Sequence, residues 1–490
     1  MLLSELFPGD PRLTGEVEIR GLTADSRAVQ PGYLFAALKG GRADGADFID
    51  DALKRGAVAV LTGRETGMSL LAGGVPLITD DNPRHRLSKI AARFFGAQPD
   101  FVAAVTGTSG KTSVAEFTRQ IWRACDRRAA TLGTLGVVGD APGFVGGRSL
   151  PHTTPEPITL HRALAEIAAG GIDHLAMEAS SHGLDQRRLD GVRVGAAGFT
   201  NLSQDHYDYH AGPADYLAAK LRLFDSVLSA GGTAVLNADI AEFDSLVTVC
   251  RARGHAIVTY GEGPSDLRLV GAVAGDRGQK LSIEAAGERH DIDFPLPGVF
   301  QALNALCAVG LATASGVSLS GALHALNHMK GVRGRLELVA VLANGARVYV
   351  DYAHKPGALE TVLAALRPHA SGRLAVVFGC GGDRDRGKRI LMGQIAAAGA
   401  DRVIVTDDNP RREDPAAIRR ETLRGCPDAE EIGDRGAAIA AAIEGLRGGD
   451  ALVIAGKGHE TGQTVGDETI PFDDAEVARR AVAALHGGTS

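Results

Sequence analysis

"FVAAVTGTSGKTSVAEFTRQIW", residues 101 to 122, decides how the rest of this chain is read. The short apolar run Phe101 to Val105 ends at a glycine turn, which predicts a buried strand. Val114, Phe117 and Ile121 then recur at the spacing of one buried helical face. Between strand and helix lies Gly107-Thr108-Ser109-Gly110-Lys111-Thr112-Ser113, in the order that cradles phosphate. Glycines let backbone N–H groups approach the phosphates, Lys111 reaches the β and γ oxygens, and the Thr112 hydroxyl binds Mg²⁺. The general pattern wants a glycine five residues before Gly110, where Val105 stands, so only the "GTSGKT" half matches. A plainer reading, a glycine turn capping a helix beside an incidental lysine, accounts less well for the flanking strand and helix.

Working outward, the 490 residues predict roughly three domains at about 150 residues each. Hydrophobic content of 44%, charged content of 23% and 64 glycines fit an α/β enzyme rather than a disordered or fibrous chain. A formal charge of −7 gives no basic field for nucleic acid or an anionic membrane. Anionic ligands must then be held locally, by helix N-termini, metal ions and single arginines. Cys125, Cys250, Cys307, Cys380 and Cys426 form no C-x-x-C pair, which argues against a disulfide framework or zinc ribbon. The opening "MLLSELFPGD" lacks a basic n-region and no run is long and apolar enough to span a membrane, so the expected compartment is the cytoplasm.

The fold expected is α/β in three domains: residues 1 to 99 as a small α/β unit, 100 to 334 as a phosphate-loop domain with a mostly parallel sheet, and 335 to 490 as a Rossmann-like domain. In the middle segment "HLAMEAS", "GAAGFTNLS", "GTAVLNAD" and "AIVTYG" are strand-like with helical stretches between. In the last, strands "ARVYVDY", "RLAVVFG", "RVIVTDD" and "DALVIAGKG" alternate with helices over "GALETVLAAL", 388 to 399 and 415 to 424.

A magnesium-nucleotide site needs an acid at the end of a neighbouring strand, and Glu178 closes "HLAME". His206 and His210 are four apart, but the zinc-protease pattern requires Glu where Tyr207 stands. Lys220 lies in "YLAAKLRLF", where Leu217, Leu221 and Phe224 mark an apolar face; it either snorkels or is desolvated and reactive. "TDDNPRRED", 406 to 414, packs acids, an amide and arginines into one turn after a strand, as either a solvated loop or a pocket for a zwitterion.

Taken in order, "DSRAVQPGYLFAAL", "GRADGADFI", "GTSGKTS", "HTTP", "MEASSHGL", "TNLSQDHYDYH", "YLAAKLRLF", "GRLE", "VDYAHKPGAL", "GCGGDRDRGKR", "DNPR" and "AGKGHE" resemble the Mur ligases, ATP-dependent amino-acid ligases of peptidoglycan synthesis. Within the family the set is similar to the members that add diaminopimelate. The resemblance implies a UDP-binding N-terminal domain, a central ATPase and a C-terminal amino-acid-binding domain. It places the uridine nucleotide against Ser26 and the Gly41-Arg42-Ala43 turn, and the muramoyl dipeptide against Thr153, Thr154, Ser180, Gln186 and Arg188. It implies a carbamate on Lys220 that joins His206 at a second Mg²⁺, and ATP contacts from Asn304, Arg335 and Asp351. It assigns Arg384, Asp408, Asn409, Pro410, Arg411, Gly456 and Glu460 to meso-diaminopimelate, whose distal carboxylate suits arginine forks. The expected co-substrate is ATP with Mg²⁺, and the expected state a monomer. His210 and His354 are candidate bases for the incoming amine.

Lys355, Gly357 and Gln301 stand where the family more often has Thr, Asp and Asn. "LAVVFGCGGDRDRG" also resembles the start of a dinucleotide loop, but Arg384 occupies the third glycine position and would block close helix packing. A lysine-adding or folate-glutamylating ligase and a non-catalytic nucleotide switch remain as alternative functions.

Overall fold

The computed structural model describes residues 1–8, 17–41, 43–64, 74–139, 147, 150–276 and 278–487. They form two compact units, one of residues 1–267 and 306–322, the other of residues 268–305 and 323–490.

The first unit opens with four parallel strands in sequential order, β1 (Gly21–Thr23), β2 (Tyr33–Ala37), β3 (Ala57–Gly63) and β4 (Leu77–Asp80). Helix Pro83–Phe95 buries Leu87, Ile90 and Ala91 in the same core as Leu34, Ala59 and Leu61. Next come β5 (Phe101–Thr106), β6 (Ala129–Gly133), β7 (Gly136–Gly139), β8 (His174–Glu178), β9 (Val194–Phe199), β10 (Leu228–Asn237) and β11 (Ala256–Gly261). They lie in the order β11-β10-β9-β5-β8-β6-β7. The β6–β7 pair is antiparallel and the others are parallel. β8 is buried at every position, as expected of a parallel strand covered on both faces. Strand order reverses around β5, so the loop after β5 sits at a switch point, where such sheets bind ligands.

Helix Lys111–Ala124 buries the expected Val114, Phe117 and Ile121 and also Trp122, whose indole N–H donates to Ser315 Oγ at 2.8 Å. Helix Pro213–Arg222 departs from expectation: Tyr216, Ala219 and Lys220 are buried, while Leu217 and Leu221 are only half-buried against the core. A π-helical turn over Leu223–Val227 follows and brings Leu223 and Phe224 inward. The inward face is therefore set by the lysine's side of the helix.

The second unit holds β12 (Leu267–Gly275), β13 (Gly278–Ala285) and β14 (Glu288–Phe294), with β13 between the other two and antiparallel to β14. Period-two burial along β13 matches a sheet with one wet face. Then follow β15 (Glu337–Val341), β16 (Arg347–Asp351), β17 (Leu374–Phe378), β18 (Arg402–Val405), β19 (Glu430–Glu431) and β20 (Ala451–Ala455), in the order β15-β16-β20-β17-β18-β19. Only the β15–β16 pair in that sheet is antiparallel. Separate cores cover its two faces, one under helices Pro356–Leu366 and Gly387–Gly399, the other under Arg435–Glu444 and Asp474–Gly487. A hairpin, β21 (Gly462–Val465) and β22 (Glu468–Pro471), follows β20.

Candidate active site

The loop after β5 takes the phosphate-cradling shape. Gly107 and Gly110 adopt φ of +142° and +87°, where side chains are disfavoured. A Cβ on Gly107 would also stand 1.9 Å from Thr200 Oγ1. That closeness reflects a strap: Thr108 N donates to Asn201 O at 2.9 Å, Ser109 N to Asn201 Oδ1 at 3.0 Å, and Thr200 Oγ1 to Ser109 O at 2.6 Å. Thr200 and Asn201 follow β9, and their bracing role has no signature in the sequence beyond lying in "TNLSQDHYDYH". Ser113 is buried in the first turn of the helix.

Two lysines meet at this loop. Lys111 Nζ donates to Gly107 O and Thr108 O, both at 2.9 Å, and Lys220 Nζ donates to the same Gly107 O at 2.8 Å. Lys220 is 1% exposed and its Nζ stands 4.4 Å from the centroid of the Tyr216 ring. Burial, reinforced by the Lys111 charge and opposed by Asp205, holds its amine well below the ordinary lysine value. Of the two readings open for Lys220, desolvation is the one observed.

Glu178, at the end of β8, is 2% exposed and accepts from Thr112 Oγ1 at 3.1 Å through each oxygen and from Thr134 N at 2.7 Å. A buried carboxylate with neutral donors, beside the phosphate-loop threonine, is the chemistry that accepts a cation. No group of three or more His, Cys, Asp or Glu gathers among the described residues, so a Mg²⁺ here would take its remaining ligands from phosphate and water. His206 has φ +54°, and its Nε2 stands 3.4 Å from Asp205 Oδ2. Its ring centroid is 6.3 Å from that of Tyr216, the ring beneath Lys220. His210, four residues on, is buried, with Nδ1 3.3 Å from Asp215 Oδ2.

The residues expected to meet the muramoyl dipeptide gather beside Glu178. Thr154 Oγ1 donates to Glu178 O at 2.8 Å and accepts from Ser180 N at 3.0 Å. Thr153 Oγ1 lies 3.1 Å from Thr134 Oγ1. Arg188 reaches Thr154 O at 2.6 Å, Gln186 Oε1 at 2.8 Å and Glu156 at 2.7 Å. Ser26, in the turn Ser26–Ala28, and the turn of Gly41 and Ala43 follow the neighbouring parallel strands β1 and β2. Arg42 lies outside the described residues. Arg84 Nη2 donates to Lys39 O in that turn at 2.6 Å. Its charge also acts on Arg188 and Tyr209, so it spans both clusters. Tyr209, which sequence reasoning left out, stacks at 4.0 Å on His182 and donates to Asp185 Oδ2 at 2.6 Å.

In the second unit Asn304, Arg335 and Asp351 come together. Gln301 bridges them, accepting from Asn304 Nδ2 and donating to Arg335 O, each at 3.3 Å, so one departure from the family pattern has a built role. Asp351 accepts from Leu336 N at 2.6 Å and Ala353 N at 2.7 Å. Burial nevertheless pushes its carboxyl up to about 6, against the Arg335 charge and both N–H donors. Arg335 packs over the Tyr352 ring, 4.6 Å from its centroid, and its Nη1 lies 3.5 Å from His459 Nδ1.

Loops after β17, β18 and β20 converge at the carboxyl ends of adjacent strands. Asp408, Asn409 and Pro410 are buried. Asn409 is held by Lys457 Nζ at 3.0 Å and Thr464 N at 2.9 Å, and donates to Glu460 Oε2 at 3.0 Å. Lys457, fully buried and 3.1 Å from Glu460, is a second residue that motif reasoning missed. Gly456 has φ +119°, and a Cβ there would stand 2.7 Å from Asp408 Oδ2. Arg411, at φ +52°, donates to Gly382 O at 2.8 Å, and Arg384 is exposed. Both flank Gly381, whose Cβ would stand 2.9 Å from Arg411 Nη1 and 4.0 Å from Arg384 Cγ. A Cβ on Gly382 would stand 1.9 Å from Pro410 O. These glycines serve close packing of two loops, which disfavours the dinucleotide reading.

Three family models match along the chain: "Mur ligase family, catalytic domain" at residues 18–95, "Mur ligase middle domain" at 105–312 and "Mur ligase, glutamate ligase domain" at 334–458. A Brucella melitensis protein named UDP-N-acetylmuramoyl-L-alanyl-D-glutamate--2,6-diaminopimelate ligase is 52% identical over 99% of this chain and 98% of its own. The chain belongs to the Mur ligase family. A Caulobacter vibrioides Mur ligase of the same name is 50% identical over 98% of both chains. A solved structure titled as that same ligase matches with TM-score 0.74 and 33% identity over 99% of each chain. A Thermotoga maritima MurF ligase solved in complex with ADP shares the Mur ligase fold at TM-score 0.63 and 18% identity, covering 97% of this chain and 99% of that one.

Proposed function

We propose that this Mur ligase joins meso-2,6-diaminopimelate to the D-glutamate γ-carboxylate of UDP-N-acetylmuramoyl-L-alanyl-D-glutamate, with ATP, as a cytoplasmic monomer in peptidoglycan precursor synthesis. The observation that carries this reading is 52% identity along nearly the whole chain to a ligase of that name. The working division is residues 1–99 for the UDP moiety, 100–334 for ATP and 335–490 for the amino acid.

A γ-carboxylate oxygen attacks the γ-phosphorus of ATP, ADP leaves, and an acyl phosphate results. The diaminopimelate amine then attacks the acyl carbon and inorganic phosphate departs. No protein nucleophile is needed, so the residues position and stabilise charge. Gly107 to Ser113 hold the phosphates, with Lys111 on the β and γ oxygens and Asn304, Arg335 and Asp351 completing the ATP site. Magnesium, when bound, neutralises the transferring phosphoryl group; Thr112 and Glu178 would hold one ion, His206 and carbamylated Lys220 another. A neutral lysine nitrogen can attack CO₂ and release a proton, which suits the desolvated amine of Lys220. Ser26, Gly41, Arg42, Ala43, Thr153, Thr154, Ser180, Gln186 and Arg188 bind the UDP-dipeptide.

Arg384 and Arg411 fork onto the distal carboxylate of diaminopimelate, and Glu460, oriented by Asn409, accepts from the distal ammonium; Asp408, Pro410 and Gly456 shape the wall. Lysine has no second carboxylate, so it would leave the arginines unmatched. Of the two candidate bases, His210 and His354, burial draws His354 down to about 4, which makes it a weak proton acceptor at neutral pH.

The test is an amino-acid panel with UDP-muramoyl dipeptide and Mg·ATP. Phosphate release should require dipeptide and diaminopimelate together and vanish in Lys111→Ala. Equal turnover with lysine, or nucleotide hydrolysis without acceptor, refutes the assignment.

A further inference from the structure

Arg384 and Arg411 lie on different loops, so a fork onto one carboxylate depends on what fixes the distance between those loops. The backbone alone does not hold them passively: Asp383 and Arg411, beside or at the two forks, both take left-handed φ, +51° and +52°, disfavoured for side-chain-bearing residues. Something must hold that geometry.

Gly382 N donates to Asn409 O at 2.9 Å and Arg411 Nη1 to Gly382 O at 2.8 Å, and Arg389, in helix Gly387–Gly399, adds a buried tie between the same loops. Its side chain is 0% exposed. Nη2 donates to Glu413 Oε1 at 2.8 Å, and Nη1 to Glu413 Oε2 at 3.1 Å and Glu421 Oε2 at 2.8 Å. Glu413, two residues beyond Arg411, also accepts from Asp383 N at 2.6 Å, one residue before Arg384. Arg389 Nη2 further reaches Gly381 O at 3.4 Å. One guanidinium therefore ties the turn that carries Arg411 to the loop that carries Arg384, through a carboxylate bonded to both. Charge-assisted, bidentate bonds of this kind fix geometry as well as add energy. Arg389 acts on Arg384 and Arg411 through Glu413 and the Gly381 carbonyl.

We propose that Arg389, with Glu413, is a positioning residue for amino-acid selection: it sets the spacing of Arg384 and Arg411 and thereby the preference for a substrate with a distal carboxylate. This rests on the proposed diaminopimelate reading.

The experiment measures KM for diaminopimelate, ATP and UDP-dipeptide, kcat, and the diaminopimelate-to-lysine ratio of kcat/KM in the full-length enzyme and in Arg389→Lys, Arg389→Met and Glu421→Gln. Displacement of a fork by about an ångström should raise the diaminopimelate KM about 10- to 100-fold in the Arg389 variants, with the ATP KM unchanged. The lysine ratio should fall in parallel. Glu421→Gln, which removes one part-exposed anchor, should move the same two quantities a few-fold, and it decides the matter should the Arg389 variants not fold. Unchanged diaminopimelate KM and ratio in any folded variant overturns the proposal, as does a uniform loss across all three substrates, the mark of a merely structural role. Failure of the parent reading shows separately, as wild-type enzyme that does not ligate diaminopimelate.

Discussion

Replacing Lys220 by Met should separate folding from chemistry. The substitution deletes a hydrogen bond of 2.8 Å to Gly107 O, but Lys111 donates to that oxygen at 2.9 Å, so the buried acceptor keeps a partner. Loss of one such bond costs about 1 kcal/mol. Met follows most of the lysine stem, and swaps of similar volume cost less than about 1.5 kcal/mol. Removing an amine that burial already disfavours acts in the opposite direction. Before that offset the two costs total at most about 2.5 kcal/mol, a melting shift of at most roughly 5–10 °C for a unit of this size. Catalysis should respond on another scale, because loss of one preorganised charge-stabilising group typically lowers kcat about 10²- to 10³-fold. Thermal melts and a coupled phosphate-release assay at saturating substrates measure both. In Lys220→Ala, which opens space, added acetate should restore part of the activity. A Lys220→Met enzyme retaining more than about a tenth of wild-type kcat, or losing activity only in step with unfolding, refutes the carbamate role.

Gly107→Ala forces an L-residue to φ +142° with its Cβ 1.9 Å from Thr200 Oγ1. Displacing that hydroxyl breaks its bond to Ser109 O, so a loss of roughly 2–3 kcal/mol and a raised ATP KM are expected from denaturant titration and kinetics; wild-type behaviour in both would contradict the strap. Asp351 titrates at about 6 when folded and 3.8 by its ordinary value. A raised carboxyl stabilises fully below its unfolded value and loses that contribution as pH climbs through the folded one. Wild type should therefore lose about 3 kcal/mol relative to Asp351→Asn between about pH 4 and 6; parallel stability–pH curves would show that the carboxylate is ionised throughout.

The parallel sheets were legible because their strands are buried on both faces and appear as unbroken apolar runs, as β8 and β17 do. The hairpin of β6 and β7 and the set β12 to β14 were not read, although Lys280, Ser282 and Glu284 alternate along β13 with the buried Leu281, Ile283 and Ala285. Motif spacing singled out Lys111, Glu178, Lys220 and the Asp408 to Arg411 turn as candidates because each lies on a recognisable local pattern. Thr200, Asn201, Tyr209, Arg389 and Lys457 escaped because their partners are distant in sequence: Lys457 binds Asn409 and Arg389 binds Glu413. What periodicity reports is which side faces inward, not which buried polar group bonds which. Helix Pro213–Arg222 shows the limit, since its leucines pointed to one face while Lys220 takes the interior.

The shared Gly107 carbonyl explains why a lysine can occupy that interior at all. Both amines donate to one oxygen, which keeps the two nitrogens within about 6 Å, and two full positive charges at that distance repel by roughly 3 kcal/mol at an effective dielectric of 20. Lys111 opens the helix after the glycine turn and, in the proposed reading, is the lysine that meets the phosphates. Lys220 has the deeper burial, and that burial together with the Lys111 charge holds its amine well below the ordinary lysine value. The Lys111 charge thus also weakens its neighbour's hold on a proton, and an unprotonated nitrogen is the form that would take up CO₂. Triphosphate binding and lysine activation would then be two consequences of one contact, made possible because residue 107 is a glycine.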